Sequence, residues 1–494
     1  MTTTTRARMT RTIALASAGA LALAGAANAQ SRRPATTPQI TQAEAQQGAQ
    51  ANQQILQEFG GAMTGPQAQY VETIGKNIAV QSGLGNAREA FRVAMLDSSV
   101  NNAFAIPGGY IYTTRQLVAL MNNEAELAGV LGHEVAHVAA RHSQRRQQTA
   151  QRNSILGAIG SVLSGVLLGN SQIGQAISSG LQQGSQLLTL RFSRTQELEA
   201  DDLGQQYLVR AGYDPNAMAT VLASLAAQNS LDARLQGRGD AQVPAWASTH
   251  PDPASRVASA TKRAAGRGGM TNRDTFLSRI DGLVYGDDPK QGVIEGRRFI
   301  HPELRLSFEA PNGFYMVNGT TAVSINGQSG QAQLTLAPYN GSLETYVASV
   351  FQRLGQNSQL APGAVQRTTV NGLPAAYATA RANTGQGQVD VTIFAYEFAR
   401  DRAYHFQAIT AAGRSSVFNQ MFGSMRRITQ AEAGSVIPRR IDVVTVGPRD
   451  TVQSLAGRMA YTDGQIERFR VLNGMRGNDV VRAGQKVKLV VYAR

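Results

Sequence analysis

His133-Glu134-Val135-Ala136-His137 is an H-E-x-x-H pentapeptide. On a helix its two histidines, at i and i+4, share one face and reach a single Zn²⁺. Glu134 then falls beside the metal's open position, where a general base is useful. The pentapeptide also occurs by chance, so its surroundings must support it. Asn122-Asn123 offers a cap, Glu124 and Glu126 put acid in the first turn, and Leu127, Val130, Leu131, Val135 and Val138 form an apolar stripe at helical spacing. No proline interrupts 124–145, so the pattern predicts one helix over that run. The chain has six histidines in 494 residues. Two of them at ligand spacing around a glutamate favour metal binding over a pair of packed core histidines.

A third ligand has to come from elsewhere. The chain contains no cysteine, which excludes disulfides and thiolate zinc sites and leaves a carboxylate as the natural choice. Glu197-Leu198-Glu199-Ala200-Asp201 stands sixty residues beyond His137. On a helix, residues 197 and 199 point about 200° apart, so only one can face the metal. Glu197 and Asp201 share a face. Glu197 as ligand, Asp201 as acceptor for a ligand histidine's N–H and Glu199 pointing outward form a self-consistent set.

Composition and punctuation set the frame. The length suits about three domains. Arg6, Arg8 and Arg11, an apolar run from Ile13 to Ala26 and Ala27-Asn28-Ala29 read as a signal peptide over 1–29, cleaved before Gln30. Its removal takes away three arginines and no acid, so the formal net charge falls from +14 to +11. An exported, disulfide-free, basic chain fits a bacterial periplasm and anionic partners such as lipid headgroups or wall polymer. Export and the absence of a recognised motif argue against nucleic acid. Residues 153–190 carry no charge and are rich in glycine. They read as a buried helical hairpin, as a mobile cover or membrane-touching loop near the active site, or as a transmembrane helix, for which the apolar core is short.

Helices are expected near 43–59, 66–81, 197–210, 216–229 and 254–265. Phe91 to Leu96 reads as a strand. Ala103 to Tyr112 reads as another, broken by Pro107-Gly108-Gly109. Residues 231–245 look like a loop, and Gly266-Arg267-Gly268-Gly269 opens an expected linker over 266–298. From Phe299 the period becomes two, as in Leu304–Phe308, Gln333–Leu336, Val389–Ile393 and Tyr404–Ala408. Helices near 343–354 and 415–425 accompany these strands. No chemical constellation is evident there, and His301 and His405 read as structural.

Four pieces together resemble the M48 family of zinc metallopeptidases. They are Asn102-Ala103-Phe104-Ala105-Ile106-Pro107-Gly108-Gly109-Tyr110, the run His133 to His142, Ser193 through Asp201, and Ala211-Gly212-Tyr213-Asp214-Pro215. The resemblance spans about residues 40–265. It implies a gluzincin-type fold, peptidase activity on protein or peptide substrates, one Zn²⁺ per chain and Glu197 as ligand. A fifth piece, His250-Pro251-Asp252-Pro253-Ala254-Ser255-Arg256, is similar to the family's H-P-x-x-x-x-R element. His250 and Arg256 are expected to stabilise a tetrahedral oxyanion. In some periplasmic relatives the equivalent histidine instead fills the metal's open position and keeps the enzyme latent. Residues 438–494 loosely resemble a LysM module, which implies peptidoglycan affinity, although Gly447-Pro448-Arg449-Asp450-Thr451 departs from the usual Gly-Asp-Thr.

The expected fold class is α+β and multidomain. A mainly helical metallopeptidase domain over 30–265 is followed by an antiparallel α+β domain over 299–430 and a small βααβ LysM-like domain over 438–494. The expected function is a zinc endopeptidase of envelope protein quality control, with Glu134 as general base. The strand Ala103–Ile106 would hold substrate by edge pairing. The alternative is a latent-site chaperone or assembly factor that acts by binding proteins or peptidoglycan.

Overall fold

The computed structural model describes residues 37–59, 61–146, 192–235, 250, 253–354, 360–384 and 387–493. The expected signal peptide and the charge-free segment 153–190 lie outside the described residues. Among the described residues no helix is long and apolar enough to cross a membrane.

The largest apolar core is assembled from two distant stretches of chain, 40–283 and 441–490. The first stretch supplies α1 (Gln42–Glu58), α2 (Pro66–Ala79), β1 (Arg92–Leu96), β2 (Ala103–Ile106), β3 (Tyr110–Thr114) and α3 (Glu124–Ala139). It continues with α4 (Arg194–Arg210), α5 (Ala217–Leu235), α6 (Pro253–Ala264) and α7 (Arg273–Ile280). The strands form a sheet in the order β1-β3-β2, with β1 parallel and β2 antiparallel to β3. The expected single broken strand is thus a hairpin, turned by Gly108 and Gly109 at φ 85° and 83°. Positive φ at both positions is open to glycine at no steric cost. β2 lies at the sheet's edge.

Three further expectations fail along this stretch. The motif helix stops at Ala139 instead of running to 145, because Arg141 takes φ 55° and turns the chain before a further helical segment at 142–146. The stretch 266–298 is more than a linker. Its α7 buries Phe276, Leu277 and Ile280 in the large core, and β4 (Val284–Tyr285) and β5 (Val293–Glu295) follow. The expected loop at 231–245 begins later, since α5 runs to Leu235.

The second region has separate cores. Its main sheet is antiparallel and orders β11 (Gln366–Val370), β12 (Leu373–Thr384), β13 (Gly387–Ala399), β14 (Arg402–Ala411), β10 (Gly330–Leu336), β9 (Val323–Gly327) and β8 (Tyr315–Asn318). Side chains alternate across it. Ala376, Ala378 and Ile393 meet α8 (Leu343–Leu354), whose Tyr346, Val347, Val350 and Phe351 share a face. Tyr396, Phe398 and Phe406 join a different core with Phe308, Phe418 and Phe422. A four-stranded sheet completes it: β15 (Arg426–Arg427), β7 (Leu306–Glu309), β6 (Arg298–His301) and β5. The multidomain α+β class therefore holds.

The tail has the expected βααβ order: β16 (Arg439–Thr445), α9 (Val452–Ala456), α10 (Gln465–Leu472) and β17 (Lys486–Tyr492). It is not set apart from the helical region. Ile441, Leu455, Phe469, Leu472, Val487 and Leu489 belong to the same core as α3 and α5, and β16 also pairs with β4. Lys488 is buried there, and its Nζ donates to the carbonyls of Ala119, Leu120 and Met121 at 2.8, 3.1 and 2.6 Å. Burial pushes Lys488 down and nearby Glu126 up, each toward its neutral form.

Candidate metal centre

Two helices bring the site together. α3 starts at Asn123, whose Oδ1 accepts from Glu126 N at 2.9 Å. α4 starts in a capping box: Ser193 Oγ accepts from Gln196 N, and Gln196 Oε1 accepts from Ser193 N. The helices approach to backbone contact where glycine faces glycine. A Cβ on Gly204 would stand 3.1 Å from His133 N and 3.3 Å from Gly132 C. Larger residues at this crossing would part the helices and move Glu197 away from the histidines.

His133, His137, Glu197 and His250 are all buried, with one ligand atom from each lying within 4.8 Å of every other. His133 Nε2 and His137 Nε2 are 3.0 Å apart, and each lies 3.5 Å from a Glu197 oxygen. His250 Nδ1 lies 3.1 Å from both Glu197 oxygens and 3.4 Å from His133 Nε2. Ligand atoms about 2.0–2.2 Å from zinc at tetrahedral angles lie about 3.3–3.6 Å from one another. The donor set thus fits zinc in chemistry, and the separations of Glu197 from His133 and His137 fall in that range, while those of His133 from His137 and of His250 from Glu197 are up to about 0.3 Å shorter. Glu134 is also buried, and neither of its carboxylate oxygens has a hydrogen-bond partner among the described residues. Burial pushes its pKa up, against the lowering charges of His250 and His133. A desolvated carboxylate beside a ring of metal donors is a poised proton acceptor.

The residues behind the donors fix their direction. His133 Nδ1 lies 3.0 Å from Asp201 Oδ1, as the helical face of 197 and 201 predicts. Arg256 holds Asp201 through Nε at 2.8 Å and Nη2 at 2.6 Å, while its Nη1 reaches Glu197 Oε2 at 2.8 Å. Burial would raise Asp201, but Arg256 and His133 outweigh it and hold the carboxyl low. Burial likewise opposes the ionised form of Glu197, yet the charge of His250 and the surrounding histidine hydrogen bonds keep it far below the usual range. His133 is lowered by burial but raised more by Asp201 and Glu197, to about 9; burial takes His137 well down.

Arg256, expected as an oxyanion partner, is buried with its guanidinium against the Asp201 and Glu197 carboxylates. His250 stands among the metal donors. Its Nε2 lies 3.3 Å from the carbonyl of Ala103, on edge strand β2, and 3.6 Å from Glu134. Trp246, Thr249, Pro251 and Asp252 lie outside the described residues.

Two participants were missed. Phe192 stacks on His137, with ring centroids 3.9 Å apart and planes at 20°. His142 places its Nδ1 2.8 Å from His137 Nδ1. It sits five residues beyond His137, off the ligand face of a continuous helix; the turn at Arg141 brings it back. Glu199 is half-exposed, as its outward assignment implies, but it is engaged by His142 and Arg145.

Comparison with known proteins places these helices in a family context. Residues 66–264 match peptidase family M48. The chain is 35% identical over 199 residues to the beta-barrel assembly-enhancing protease of Escherichia coli K12, covering 40% of this chain and 38% of that protein. It is 30% identical over 210 residues to the mitochondrial metalloendopeptidase OMA1 of Schizosaccharomyces pombe, covering 42% of this chain and 57% of that protein. The matched stretch thus spans well under half the length of the bacterial relative.

Proposed function

Because residues 66–264 match peptidase family M48, we propose that the chain is a zinc metalloendopeptidase acting in protein quality control of the cell envelope. The observation that carries this reading is the convergence of His133, His137 and Glu197 around one point, with the buried Glu134 carboxylate beside it. His133 and His137 would hold the metal through Nε2 and Glu197 through its carboxylate. Bound zinc supplies Lewis acidity, which lowers the pKa of water and polarises a peptide carbonyl. Glu134 takes the proton from the attacking water and returns it to the leaving amine. Asp201 and Arg256 act as positioning residues: Asp201 fixes the His133 ring, and Arg256 fixes both carboxylates.

His250 supports a latent resting state within the same proposal. Its Nδ1 occupies a donor position, and its Nε2 engages Ala103, a carbonyl that an extended substrate would use on edge strand β2. One side chain thus blocks the metal and the substrate strand together. This observation also favours the second reading, a latent assembly factor. The name of the Escherichia coli relative supports β-barrel proteins under assembly as the substrate class. Export behind residues 1–29, membrane contact through 153–190 and peptidoglycan binding through 438–494 are parts of the same proposal. They are supported by the leader-like sequence, the charge-free run and the basic βααβ tail.

The test uses zinc content and cleavage of an unfolded protein by the purified chain. Glu134→Gln retains zinc and lowers proteolysis by about 10²–10⁴-fold. His250→Ala raises it. Undiminished cleavage by Glu134→Gln sinks the mechanism. Zinc binding with no cleavage by His250→Ala favours the assembly factor.

A further inference from the structure

The two metal-facing histidines are backed in different ways. His133 Nδ1 meets the Asp201 carboxylate directly at 3.0 Å, deep in the protein. His137 Nδ1 instead meets another imidazole, His142 Nδ1, at 2.8 Å. On the far side of that ring, His142 Nε2 lies 3.2 Å from Glu199 Oε2, within strong electrostatic reach although off the line of a hydrogen bond. Arg145 Nη1 holds both Glu199 oxygens at 3.1 and 3.0 Å.

We propose that His142 is a positioning residue for the metal centre: a neutral imidazole that ties the His137 ring to the Glu199–Arg145 pair and fixes its metal-binding tautomer. The proposal rests on the reading of His133, His137 and Glu197 as zinc ligands.

The proton bookkeeping allows one arrangement. His137 points Nε2 at Glu197 and His133, so its lone pair must lie on Nε2 if it is to bind metal. Its hydrogen is then on Nδ1 and donates to His142 Nδ1, which must be the acceptor. The His142 hydrogen is therefore on Nε2, on the side of the Glu199 carboxylate at 3.2 Å. Each step fixes the next. A ligand histidine whose far N–H is engaged keeps its ring aimed and gains basicity.

The backbone is built to hold this contact. Arg141 at φ 55° ends α3 and swings His142 under His137. Gln196 Nε2 then donates to the His142 carbonyl at 3.1 Å, tying the turn to α4. Gln196, Glu197, Glu199 and Asp201 thus make one helix start serve both histidines. Half-exposed Glu199 makes this arm wetter than the Asp201 arm, so its contribution is the smaller of the two.

The experiment is chelator competition for zinc on the full chain at fixed pH, with far-UV circular dichroism of each apo variant. His142→Ala weakens zinc binding about 10–100-fold. His142→Asn recovers most of that loss, because its carboxamide oxygen accepts from His137 Nδ1–H. Glu199→Gln, at a half-exposed position that leaves folding intact, weakens binding about 3–10-fold. The double variant His142→Ala/Glu199→Gln binds within about twofold of His142→Ala alone, since a broken relay transmits nothing further. Wild-type affinity in His142→Ala, equal weakness of His142→Ala and His142→Asn, or additive losses in the double variant would each overturn the relay. Failure of the wild-type chain to take up zinc overturns the ligand reading beneath it, and the relay with it.

Discussion

The helical region and the sheet region divide the chain's six histidines four to two, and all but one of them are buried. In the helical region His133, His137, His142 and His250 lie in one contiguous cluster with Glu197, Glu199 and Asp201. In the sheet region each histidine is alone. His405 Nδ1 faces the Tyr346 hydroxyl at 2.8 Å and its Nε2 faces Gln407, while His301 accepts from Leu304 N. Burial alone does not make a histidine functional. Shared carboxylates and converging ring nitrogens do. A similar lesson applies to two Arg–Asp pairs. Arg256 grips Asp201 with two donors and Arg381 grips Asp390 with two, yet the Arg256 side chain is 2% exposed and the Arg381 side chain 56%.

That difference in exposure predicts the largest stability effect. Arg256→Ala strands the Asp201 and Glu197 carboxylates in a buried site and destabilises the apo chain by about 3–5 kcal/mol. Urea denaturation of the apo variant against wild type measures it. A loss below about 1 kcal/mol would mean that water reaches these carboxylates and the two pairs are equivalent.

The site was legible because ligand chemistry is written in residue type and helical period. The i, i+4 spacing of His133 and His137, the lack of cysteine and the shared face of Glu197 and Asp201 sufficed. The carboxylate contacts of Arg256 and the place of His142 were not legible. The direction of Arg256 depends on how deeply α6 is buried, and the place of His142 depends on a left-handed arginine that no local rule demands. Fold legibility failed in the same non-local way. Phe276, Leu277 and Ile280 had helical spacing, but neighbouring glycines made their stretch look like a linker. Lys488 sits in an apolar strand, and its three carbonyl partners are more than three hundred residues away.

An intermediate effect separates the histidines by pH. Burial lowers His405 to about 3, helped by the charge of Arg353. Its unfolded value is about 6.5, so below that pH the unfolded chain binds the extra proton. The stability associated with neutral His405 is fully present above about pH 6.5 and is lost as pH falls toward about 3, by up to about 1.4 kcal/mol per pH unit. His405→Asn does not titrate. Its deficit relative to wild type at pH 7 narrows by that slope down to about pH 4. Parallel stability curves for the two proteins would show that His405 is not held neutral by the sheet core.

The smallest effect belongs to the exposed pair, and it sets the scale for the others. Arg381 and Asp390 face each other across β12 and β13, at 2.9 and 3.3 Å. Arg381 keeps most of its contact with water. Asp390 loses little when the arginine goes, because Gly413 N still donates to its Oδ2 at 2.6 Å. Burial raises the Asp390 carboxyl, while Arg381 and the Gly413 N–H outweigh it and keep it low. An exposed pair of this kind contributes little, and salt screens it. Arg381→Ala should therefore shift the urea midpoint far less than Arg256→Ala does, with the difference from wild type shrinking in about 0.5 M salt, whereas the Arg256→Ala loss should persist there. A salt-insensitive loss at Arg381 as large as that at Arg256 would erase the distinction, and two-donor geometry rather than burial would then be what makes an arginine–aspartate pair matter.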